Sequence, residues 1–266
     1  MSLTYALKDK LAIVTGSARG IGFAIAKLFA ENGADLVMVD ILDEVKEVAA
    51  QLQESNKHLN ITVSGHLCDV TSQQQINNLF DAEIPQAHPK HQAATVLVNN
   101  AGIGKRIHFL DITEEEYVKR FDVHMKGPFL FSQAFAKKLV ERFDQQKFSS
   151  DTESYASIVN IASMMAVRPI ENLTHYASTK AGLDGLTRAI SKDLGKYRIR
   201  CNAVLPFFIE TPMTAYIDGD FKKFLVDKTV LGRFGKPVEV ANLCLFLGTD
   251  ASSYITGASF EIGGGA

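Results

Sequence analysis

Short apolar runs alternate with segments of helical periodicity along most of the chain. Three runs, Leu11–Val14, Leu36–Val39 and Thr95–Val98, are almost continuously apolar, as expected of parallel strands that are buried on both faces. Further strands are predicted at Ile61–Leu67, Ser157–Ile161 and Arg200–Val204, and helices at Ile21–Glu31, Glu44–Glu54, Gln73–Ala82, Glu114–Arg142 and His175–Tyr197. This alternation predicts an α/β Rossmann fold: a doubly wound parallel sheet of about seven strands, with helices on both faces and right-handed crossovers.

The composition narrows the class of protein only a little. With 46% hydrophobic and 22% charged residues it is typical of a globular domain. A net charge of −2 gives no electrostatic basis for binding nucleic acid, and no apolar run reaches the roughly 20 residues that a membrane-spanning helix needs. No linker-like segment divides the chain, so we predict a single domain over residues 1–266.

Cys68, Cys201 and Cys244 are scattered along the chain in apolar surroundings. Their spacing fits neither a disulfide framework nor a metal site. No metal is therefore predicted, and buried, reduced thiols are favoured, which indicates a reducing compartment. Residues 1–10 contain no apolar run typical of a secretory signal and leave little room for a removable transit peptide.

A glycine-rich segment, Thr15-Gly-Ser-Ala-Arg-Gly-Ile-Gly22, follows the first predicted strand and opens the first predicted helix. In this context glycines let the backbone approach a diphosphate, and the helix N-terminus supplies unpaired N–H groups and the positive end of its dipole. The spacing is Gly-x-x-x-Gly-x-Gly rather than Gly-x-Gly-x-x-Gly, and a tight strand-to-helix turn is the alternative. Nucleotide binding is the favoured interpretation.

Asp40 ends the second predicted strand, where a carboxylate about 20 residues beyond the glycines accepts hydrogen bonds from an adenosine ribose. Its charge would repel a 2′-phosphate, so NAD is favoured over NADP. Arg19 favours NADP, since it could pair with that phosphate, unless it is only a solvated loop residue. Asp69 and the segment Asn99–Gly102 follow the third and fourth strands, where ligands bind in open α/β sheets, although loop capping is the alternative.

Tyr176 and Lys180 lie four residues apart in a predicted helix, and therefore on one face. An ammonium beside a phenol favours the phenolate, which would make this pair an acid–base unit. A solvated helix face is the alternative, and the spacing alone does not separate the two.

These segments together resemble the short-chain dehydrogenase/reductase family. The matching motifs are Thr15-Gly16-x-x-x-Gly20-x-Gly22, Asn99-Asn100-Ala101-Gly102, Ser163 and Tyr176-x-x-x-Lys180, and the resemblance extends from Lys10 to the terminal YITGASFEIGGG. It implies that Tyr176 is the general acid in carbonyl reduction and the base in the reverse direction. It also implies that Lys180 lowers the pKa of Tyr176 and holds the nicotinamide ribose, while Ser163 donates a hydrogen bond to the substrate oxygen.

The same resemblance implies a set of residues that bind NAD. They are Gly16, Ser17, Arg19, Gly20, Ile21, Gly22, Asp40, Ile41, Asp69, Val70, Asn100, Ala101, Gly102, Tyr176, Lys180, Ile209 and Thr211. Ile209 and Thr211 match the positions whose backbone and hydroxyl hold the carboxamide.

Two positions depart from the family pattern. His124 stands where an Asn usually completes a water relay to the lysine. A histidine can act through either ring nitrogen and titrates near neutral pH, so His124 is a fourth candidate catalytic residue that would add a pH dependence; a packed polar residue with a weaker relay is the alternative. Phe207 replaces the usual Gly after Pro206, beside the expected substrate pocket, and either narrows that pocket or packs in the core.

Three segments narrow the substrate class: Arg200-Cys-Asn-Ala-Val-Leu-Pro206, Phe208-Ile-Glu-Thr-Pro-Met-Thr214 and GRFGKPVEVANLCLFLGTDASSYITG. They resemble family members that act on fatty-acid or steroid carbonyls, namely 3-oxoacyl-acyl-carrier-protein reductases and NAD-using animal 17-beta-hydroxysteroid dehydrogenases. The implied substrate is a 3-oxoacyl or 3-hydroxyacyl thioester or a 17-beta-hydroxysteroid. A lid is expected at about residues 212–230, whose apolar positions suit an acyl chain or steroid, or form the buried stripe of an amphipathic helix. A polyol or sugar dehydrogenase and a catalytically faded NAD-binding scaffold subunit are the alternatives.

Partners and compartment depend on the resemblance as well. It implies a homotetramer built partly on the two long helices, or a hetero-oligomer with a second reductase subunit, and residence in the mitochondrial matrix, with the cytoplasm as the alternative. The basic residues Lys192, Lys196, Arg198 and Arg200 would receive an acidic acyl carrier protein, or they form only a solvated face.

Overall fold

Seven parallel strands form one sheet in the computed structural model, which describes residues 7–147, 151 and 153–266. The strands are β1 (Leu11–Thr15), β2 (Asp35–Asp40), β3 (Val63–Leu67), β4 (Val96–Asn99), β5 (Ala156–Ile161), β6 (Ile199–Pro206) and β7 (Ser259–Ile262). Their order, β3-β2-β1-β4-β5-β6-β7, places the change of winding direction between β1 and β4. The predicted doubly wound sheet is confirmed, and ligands in such sheets bind outside the carboxyl ends of these two strands.

Helices cover both faces of the sheet. They are α1 (Gly20–Glu31), α2 (Glu44–Ser55), α3 (Gln73–Asn78), α4 (Ile84–Ala87), α5 (Glu114–Phe121), α6 (Gly127–Val140), α7 (Thr174–Leu194), α8 (Gly219–Asp227) and α9 (Pro237–Gly248). The helices α1, α2 and α9 pack on one face, and α3, α6 and α7 pack on the other.

Burial explains why these segments form these elements. Every residue of β1, β2, β4, β5 and β6 is buried, whereas the edge strands β3 and β7 are partly exposed. Phe29 of α1 and Phe131 and Phe135 of α6 are fully buried against opposite faces. Burial of each such side chain stabilises the fold by about 1.5–3 kcal/mol.

Two predicted helices are interrupted. The segment 114–142 consists of α5 and α6 joined by a π-helical turn, Asp122–Lys126, and a second such turn, Leu79–Glu83, joins α3 to α4. The predicted helix from Glu114 to Arg142 is therefore helical throughout Glu114–Val140, with a π turn that the prediction did not include. A π turn adds one residue to a helix, and this does not remove the apolar periodicity on which the prediction was based.

The three cysteines are buried, as predicted. Cys68 follows β3, Cys201 lies in β6 and Cys244 lies in α9. Burial raises the pKa of all three thiols, that of Cys68 to about 12. Within the described residues no helix combines the length and apolarity needed to cross a membrane. Residues 1–6, part of the segment considered for a targeting signal, lie outside the described residues.

Candidate active site

The glycine-rich segment forms the turn between β1 and α1. Gly16 and Gly20 have φ angles of 63° and 62°, which favour glycine. A Cβ atom on Gly22 would lie 2.1 Å from the carbonyl oxygen of Gly16, and one on Gly16 would lie 2.7 Å from Cα of Ala101. Ile21 packs against the core. Among the described residues no side chain caps the N-terminus of α1, so its first N–H groups are available to a diphosphate.

Asp40 fixes the glycine-rich turn from the end of β2. Its carboxylate accepts the backbone N–H groups of Ala18 at 2.9 Å and Leu42 at 3.1 Å, and its side chain is buried. Ser17 is held by the same strand, because its N–H and its hydroxyl both donate to the carbonyl of Val39 at 3.2 Å. A carboxylate has about four lone-pair sites, so Asp40 could still accept from a ribose.

Four other predicted cofactor residues differ in their environments. Arg19 and Ile41 are exposed, Ile41 with 65% of its surface accessible. The carboxylate of Asp69 accepts hydrogen bonds from the N–H and the hydroxyl of Thr71 at 2.8 and 2.9 Å. These contacts correspond to the loop-capping alternative. Val70 packs partly buried against the core face that carries α6.

Asn100 joins the end of β4 to the glycine-rich turn. Its side-chain amide donates to the carbonyls of Thr15 at 3.0 Å and Gly16 at 2.9 Å. The N–H groups of Asn100 and Ala101 donate to the Thr15 hydroxyl at 3.0 and 3.1 Å. The structure therefore brings these predicted cofactor residues together, and their contact with NAD stays a prediction.

A buried polar chain that the sequence analysis missed lies beneath the site. Asn99 donates to Ser132 of α6 at 3.0 Å and to Asn160 of β5 at 2.8 Å, and Asn160 donates to Thr187 of α7 at 2.9 Å. A paired polar chain in the core fixes the relative positions of these strands and helices. In the sequence, isolated polar residues inside apolar segments indicate such a chain.

Ser163, Tyr176 and Lys180 meet near the carboxyl end of β5. Ser163 follows β5, and its hydroxyl accepts the N–H of Met165 at 3.1 Å. Lys180 is buried on α7, with Nζ 5.8 Å from the centre of the Tyr176 ring. This amine donates to the carbonyl of Ile161 at 2.7 Å. The catalytic roles of the three side chains stay predictions.

Burial controls the protonation of this group. It raises the pKa of Tyr176, while a hydrogen bond with Ser163 partly lowers it. It also lowers the pKa of Lys180 to about 7. The resemblance implied a lysine that keeps the phenol acidic, yet here the pKa of Tyr176 is above its ordinary value because desolvation disfavours the phenolate.

His124 lies in the π turn between α5 and α6 and is fully buried. Its Nε2 accepts the N–H of Ile103 at 3.0 Å, and its Nδ1 lies 2.9 Å from the hydroxyl of Thr179, which donates to the carbonyl of Tyr176 at 2.9 Å. This pattern requires a neutral ring with its proton on Nδ1. Burial and the charge of Lys180 lower the pKa of His124 well below its ordinary range, so the expected titration near neutral pH is wrong.

The packing of His124 agrees with the alternative of a packed polar residue. Its ring meets the ring of Tyr176 edge-on, with centres 5.3 Å apart. Gly102 lies against the same imidazole, since a Cβ atom there would be 3.5 Å from Nε2. Thr179 was not predicted as a site residue, although it lies inside the Tyr-x-x-x-Lys motif.

Ile209 and Thr211 lie across the crevice from the glycine-rich turn. The carbonyl of Ile209 accepts the hydroxyl of Thr214 at 2.6 Å, and the N–H of Thr211 donates to the same hydroxyl at 3.1 Å. The side chain of Thr211 lies 3.7 Å from the position of a Cβ atom on Gly20. This segment is therefore close enough to enclose a ligand bound at the turn.

Phe207 packs between the site and the lid, which corresponds to its core-packing alternative. It contacts the apolar cluster of Tyr176 and also the lid cluster. Its ring meets Phe208 edge-on at 4.9 Å, and Phe208 stacks on Phe234 at 5.6 Å.

The lid consists of a short 3₁₀ turn, Pro212–Thr214, and the helix α8. Ile217 and Leu225 are buried, whereas Tyr216 and Phe224 stay exposed. The lid thus has a buried apolar stripe, and it also leaves aromatic surface uncovered.

Arg200 does not belong to an exposed basic cluster. Its guanidinium is buried and donates to the carbonyls of Leu247 at 2.9 Å and Thr249 at 3.0 Å, at the end of α9. The other residues of the expected cluster lie at or beyond the last turns of α7, and Lys192 is separated from Tyr176 by about 24 Å of helix. Within one protomer this cluster is remote from the site.

Known proteins are similar to this chain over almost its whole length. A family model described as enoyl-(acyl carrier protein) reductase matches residues 16–266. A 3-oxoacyl-[acyl-carrier-protein] reductase of Chlamydia trachomatis is 34% identical over 259 residues, which cover 97% of this chain and 98% of that protein. The chain belongs to the short-chain dehydrogenase/reductase family.

Two further proteins are similar to this short-chain dehydrogenase/reductase. A (3R)-3-hydroxyacyl-CoA dehydrogenase of Mus musculus is 34% identical over 268 residues, 97% of this chain and 96% of that protein. A dehydrogenase structure from Beutenbergia cavernae with NADP bound at low occupancy is 27% identical, covers 98% of both chains and has a TM-score of 0.85. As a member of the family, the chain is an oxidoreductase that uses a nicotinamide cofactor, NAD or NADP.

Proposed function

We propose that this short-chain dehydrogenase/reductase interconverts a 3-oxoacyl thioester and the matching 3-hydroxyacyl thioester with NAD(H). The observation that carries the proposal is the meeting of Tyr176 with Ser163 and Lys180 at the carboxyl end of β5. The names of the bacterial and mouse relatives describe acyl-carrier-protein and coenzyme A thioester chemistry, which supports this substrate class.

The residues of the chain supply the proton and stabilise the developing charge. The hydroxyls of Ser163 and Tyr176 would both donate to the carbonyl oxygen of the substrate. Because its pKa is raised, Tyr176 holds its proton at neutral pH and transfers it when that oxygen gains negative charge. Lys180, with a pKa of about 7, carries a proton part of the time at neutral pH and could restore the proton of the phenol.

The residues of the crevice fit a nicotinamide dinucleotide. The uncapped start of α1 and the glycines with positive φ would hold the diphosphate. Lys180, Ile209 and Thr211 would hold the nicotinamide end, and the bound cofactor supplies the hydride. The approach of Thr211 to Gly20, 3.7 Å from the position of a Cβ atom there, supports this arrangement.

We favour NAD because Asp40 is a buried carboxylate at the ribose position, where a second phosphate would meet like charge. Arg19 is the feature that favours NADP, since it forms no ion pair with any described residue.

The finer assignments follow from the resemblance. A 17-beta-hydroxysteroid is the second candidate substrate, because the exposed aromatic residues of the lid, Tyr216 and Phe224, suit any apolar ligand. The homotetramer, the second reductase subunit and the mitochondrial matrix are further proposals.

The test compares NADH oxidation by an acetoacetyl thioester with NAD reduction by estradiol and by a polyol. We expect the thioester to give the highest kcat/KM, and Tyr176→Phe to lower it by at least about 10²-fold while NADH affinity stays the same. Ser163→Ala is the matched control for loss of one hydroxyl, and should keep more activity. Cofactor binding without turnover of any substrate would support the scaffold alternative instead.

A further inference from the structure

An arginine lies on the ring of a lid residue at the edge of the site. The guanidinium carbon of Arg106 is 4.0 Å from the centre of the Phe221 ring in α8. A guanidinium that stacks by its face keeps the N–H groups of its edge available for hydrogen bonds. The lid is thus attached to the loop after β4 by a contact that leaves hydrogen-bond donors unused.

The loop that carries Arg106 passes directly beside Tyr176. Ile103 of this loop bonds to His124, whose ring rests on Tyr176, and the N–H of Ile107 donates to the carbonyl of Asn172 at 2.9 Å, four residues before Tyr176. Arg106 therefore lies on the rim between the predicted proton donor and the lid.

The loop also touches the start of the lid, since a Cβ atom on Gly104 would lie 3.0 Å from the sulfur of Met213. The loop and the lid therefore lie side by side at the edge of the site.

Arg106 has no carboxylate partner among the described residues. Its Nε is buried and has no hydrogen-bond partner in this part of the chain, as is also the case for Nε of Arg120 and of Arg200. Five other arginines each pair with a carboxylate: Arg120, Arg168, Arg188, Arg198 and Arg233. Arg120 pairs with Glu116 and Arg200 donates to two carbonyls, whereas Arg106 forms no hydrogen bond with a described residue. The outer nitrogens of Arg106 are therefore available to a ligand.

We propose that Arg106 binds the phosphate of a phosphopantetheine thioester and thereby selects acyl thioesters over neutral carbonyl substrates. The inference rests on the proposed function and names the group that this site recognises. A guanidinium suits phosphate because its planar fork donates two parallel hydrogen bonds. Steroids and polyols lack this anion, so Arg106 would contribute nothing to their binding.

Lys228, which follows α8, also lies on an aromatic ring and forms no ion pair with a described residue. Phe224 stacks on Phe221 with centres 6.3 Å apart, and Nζ of Lys228 is 4.6 Å from the Phe224 ring. The lid also contains acidic residues, of which Asp227 pairs with Lys223 at 2.9 Å. Because the lid carries charges of both signs, binding of a phosphate would depend more on Arg106 itself than on the net charge of the lid.

The same phosphate occurs in coenzyme A and in the arm of acyl carrier protein, so the experiment uses three acetoacetyl thioesters. They are the coenzyme A form, the carrier-protein form and the N-acetylcysteamine form, which has no phosphate. KM and kcat are measured for wild type, Arg106→Met, Arg106→Lys and Lys223→Met. The last variant removes a positive charge from the lid helix that Arg106 contacts, and it serves as the matched control.

We expect Arg106→Met to raise KM about tenfold for at least one phosphate-bearing thioester, with little change in kcat and none for the N-acetylcysteamine form. The carrier with the larger effect is the source of the phosphate. Arg106→Lys should recover part of the loss, and Lys223→Met should behave as wild type.

An equal rise of KM for all three thioesters would overturn the inference, because Arg106 would then only hold the lid. Unchanged KM values in Arg106→Met would overturn it as well. Failure of wild type to reduce any of the thioesters would overturn the proposed function, and the inference with it. Normal reduction without a phosphate effect would overturn only the inference.

Discussion

At the scale of single residues, the side chain of His124 contacts three parts of the site. It bonds to Ile103, 21 residues earlier, and to Thr179, 55 residues later, and its ring supports Tyr176. The sequence indicates that position 124 is unusual, because a histidine there departs from the family pattern. It does not reveal the partners, since contacts between distant segments depend on the completed fold.

His124→Ala should leave the half-buried N–H of Ile103 unpaired, and so lower the free energy of unfolding by about 1 kcal/mol. It should also lower kcat, because Tyr176 loses its support. His124→Asn keeps an acceptor and should retain more of both. Urea unfolding and steady-state kinetics measure these effects.

Because burial keeps His124 neutral, its replacement should not alter the shape of the kcat–pH profile between about pH 6 and 8. A catalytic pKa near 6.5 that is present in wild type and absent in His124→Asn would contradict the neutral ring.

Asp40 combines a structural role with a predicted role in cofactor choice. Asp40→Asn removes the charge but keeps an oxygen for the N–H of Ala18 or Leu42. We expect the ratio of kcat/KM for NAD to that for NADP to fall by about tenfold or more, which corresponds to about 1.4 kcal/mol. Kinetics with both cofactors check this, and an unchanged ratio would show that other groups hold the ribose.

At the scale of elements, apolar runs bounded by polar residues locate the first six strands of the described sheet to within about two residues. β7 is not located in this way, because it is a short edge strand with alternating exposure. α9 is also missed. Its apolar residues pack on more than one side, so they show little helical periodicity. The site residues at the strand ends could be predicted because the strands themselves could be located. Their hydrogen-bond partners could not be predicted in this way.

The edge strand β3 is joined to the segment before β4 by hydrogen-bonded histidines. His66 bonds to Glu83 through Nδ1 at 2.7 Å and to the hydroxyl of Ser64 through Nε2 at 2.9 Å. His88, which is buried, reaches the same hydroxyl through Nε2 at 2.8 Å. Its environment also includes Asp35 together with His91, His66 and Lys90, and burial lowers its pKa to about 4.

Protonation of His88 should destabilise this edge of the sheet. Its pKa is about 4 in the folded state and about 6.5 in the unfolded chain, so the unfolded chain binds the proton first as the pH falls. Stability is therefore lost between about pH 6.5 and 4, by up to about 3 kcal/mol from this residue. His88→Gln keeps a donor for Ser64 and should lose less in urea unfolding over that range. A parallel decline of wild type and variant would refute the assignment.

At the scale of the whole molecule, an apolar surface lies on α5. Tyr117, Val118 and Phe121 share one face of this helix and expose 45%, 45% and 47% of their surfaces. Contiguous apolar surface of this kind marks interaction sites. We propose that a second copy of the chain covers it in the homotetramer that the family resemblance implies. The sequence alone does not separate such a surface from the core, because both are apolar at the same helical spacing.

Phe121→Glu should weaken this association, because assembly would bury a charge without a partner. Light scattering after size-exclusion chromatography should show a smaller species than wild type, with the same circular dichroism and NADH binding per chain. A wild-type mass for Phe121→Glu would place the contact between copies elsewhere.

The three cysteines lie in separate layers of this molecule: beyond the edge strand, inside the sheet and within a covering helix. Each thiol is buried and has a raised pKa. An alkylating reagent can therefore react with a thiol only when the layer that contains this thiol opens. The order in which the three thiols are alkylated would therefore report the order in which these layers open.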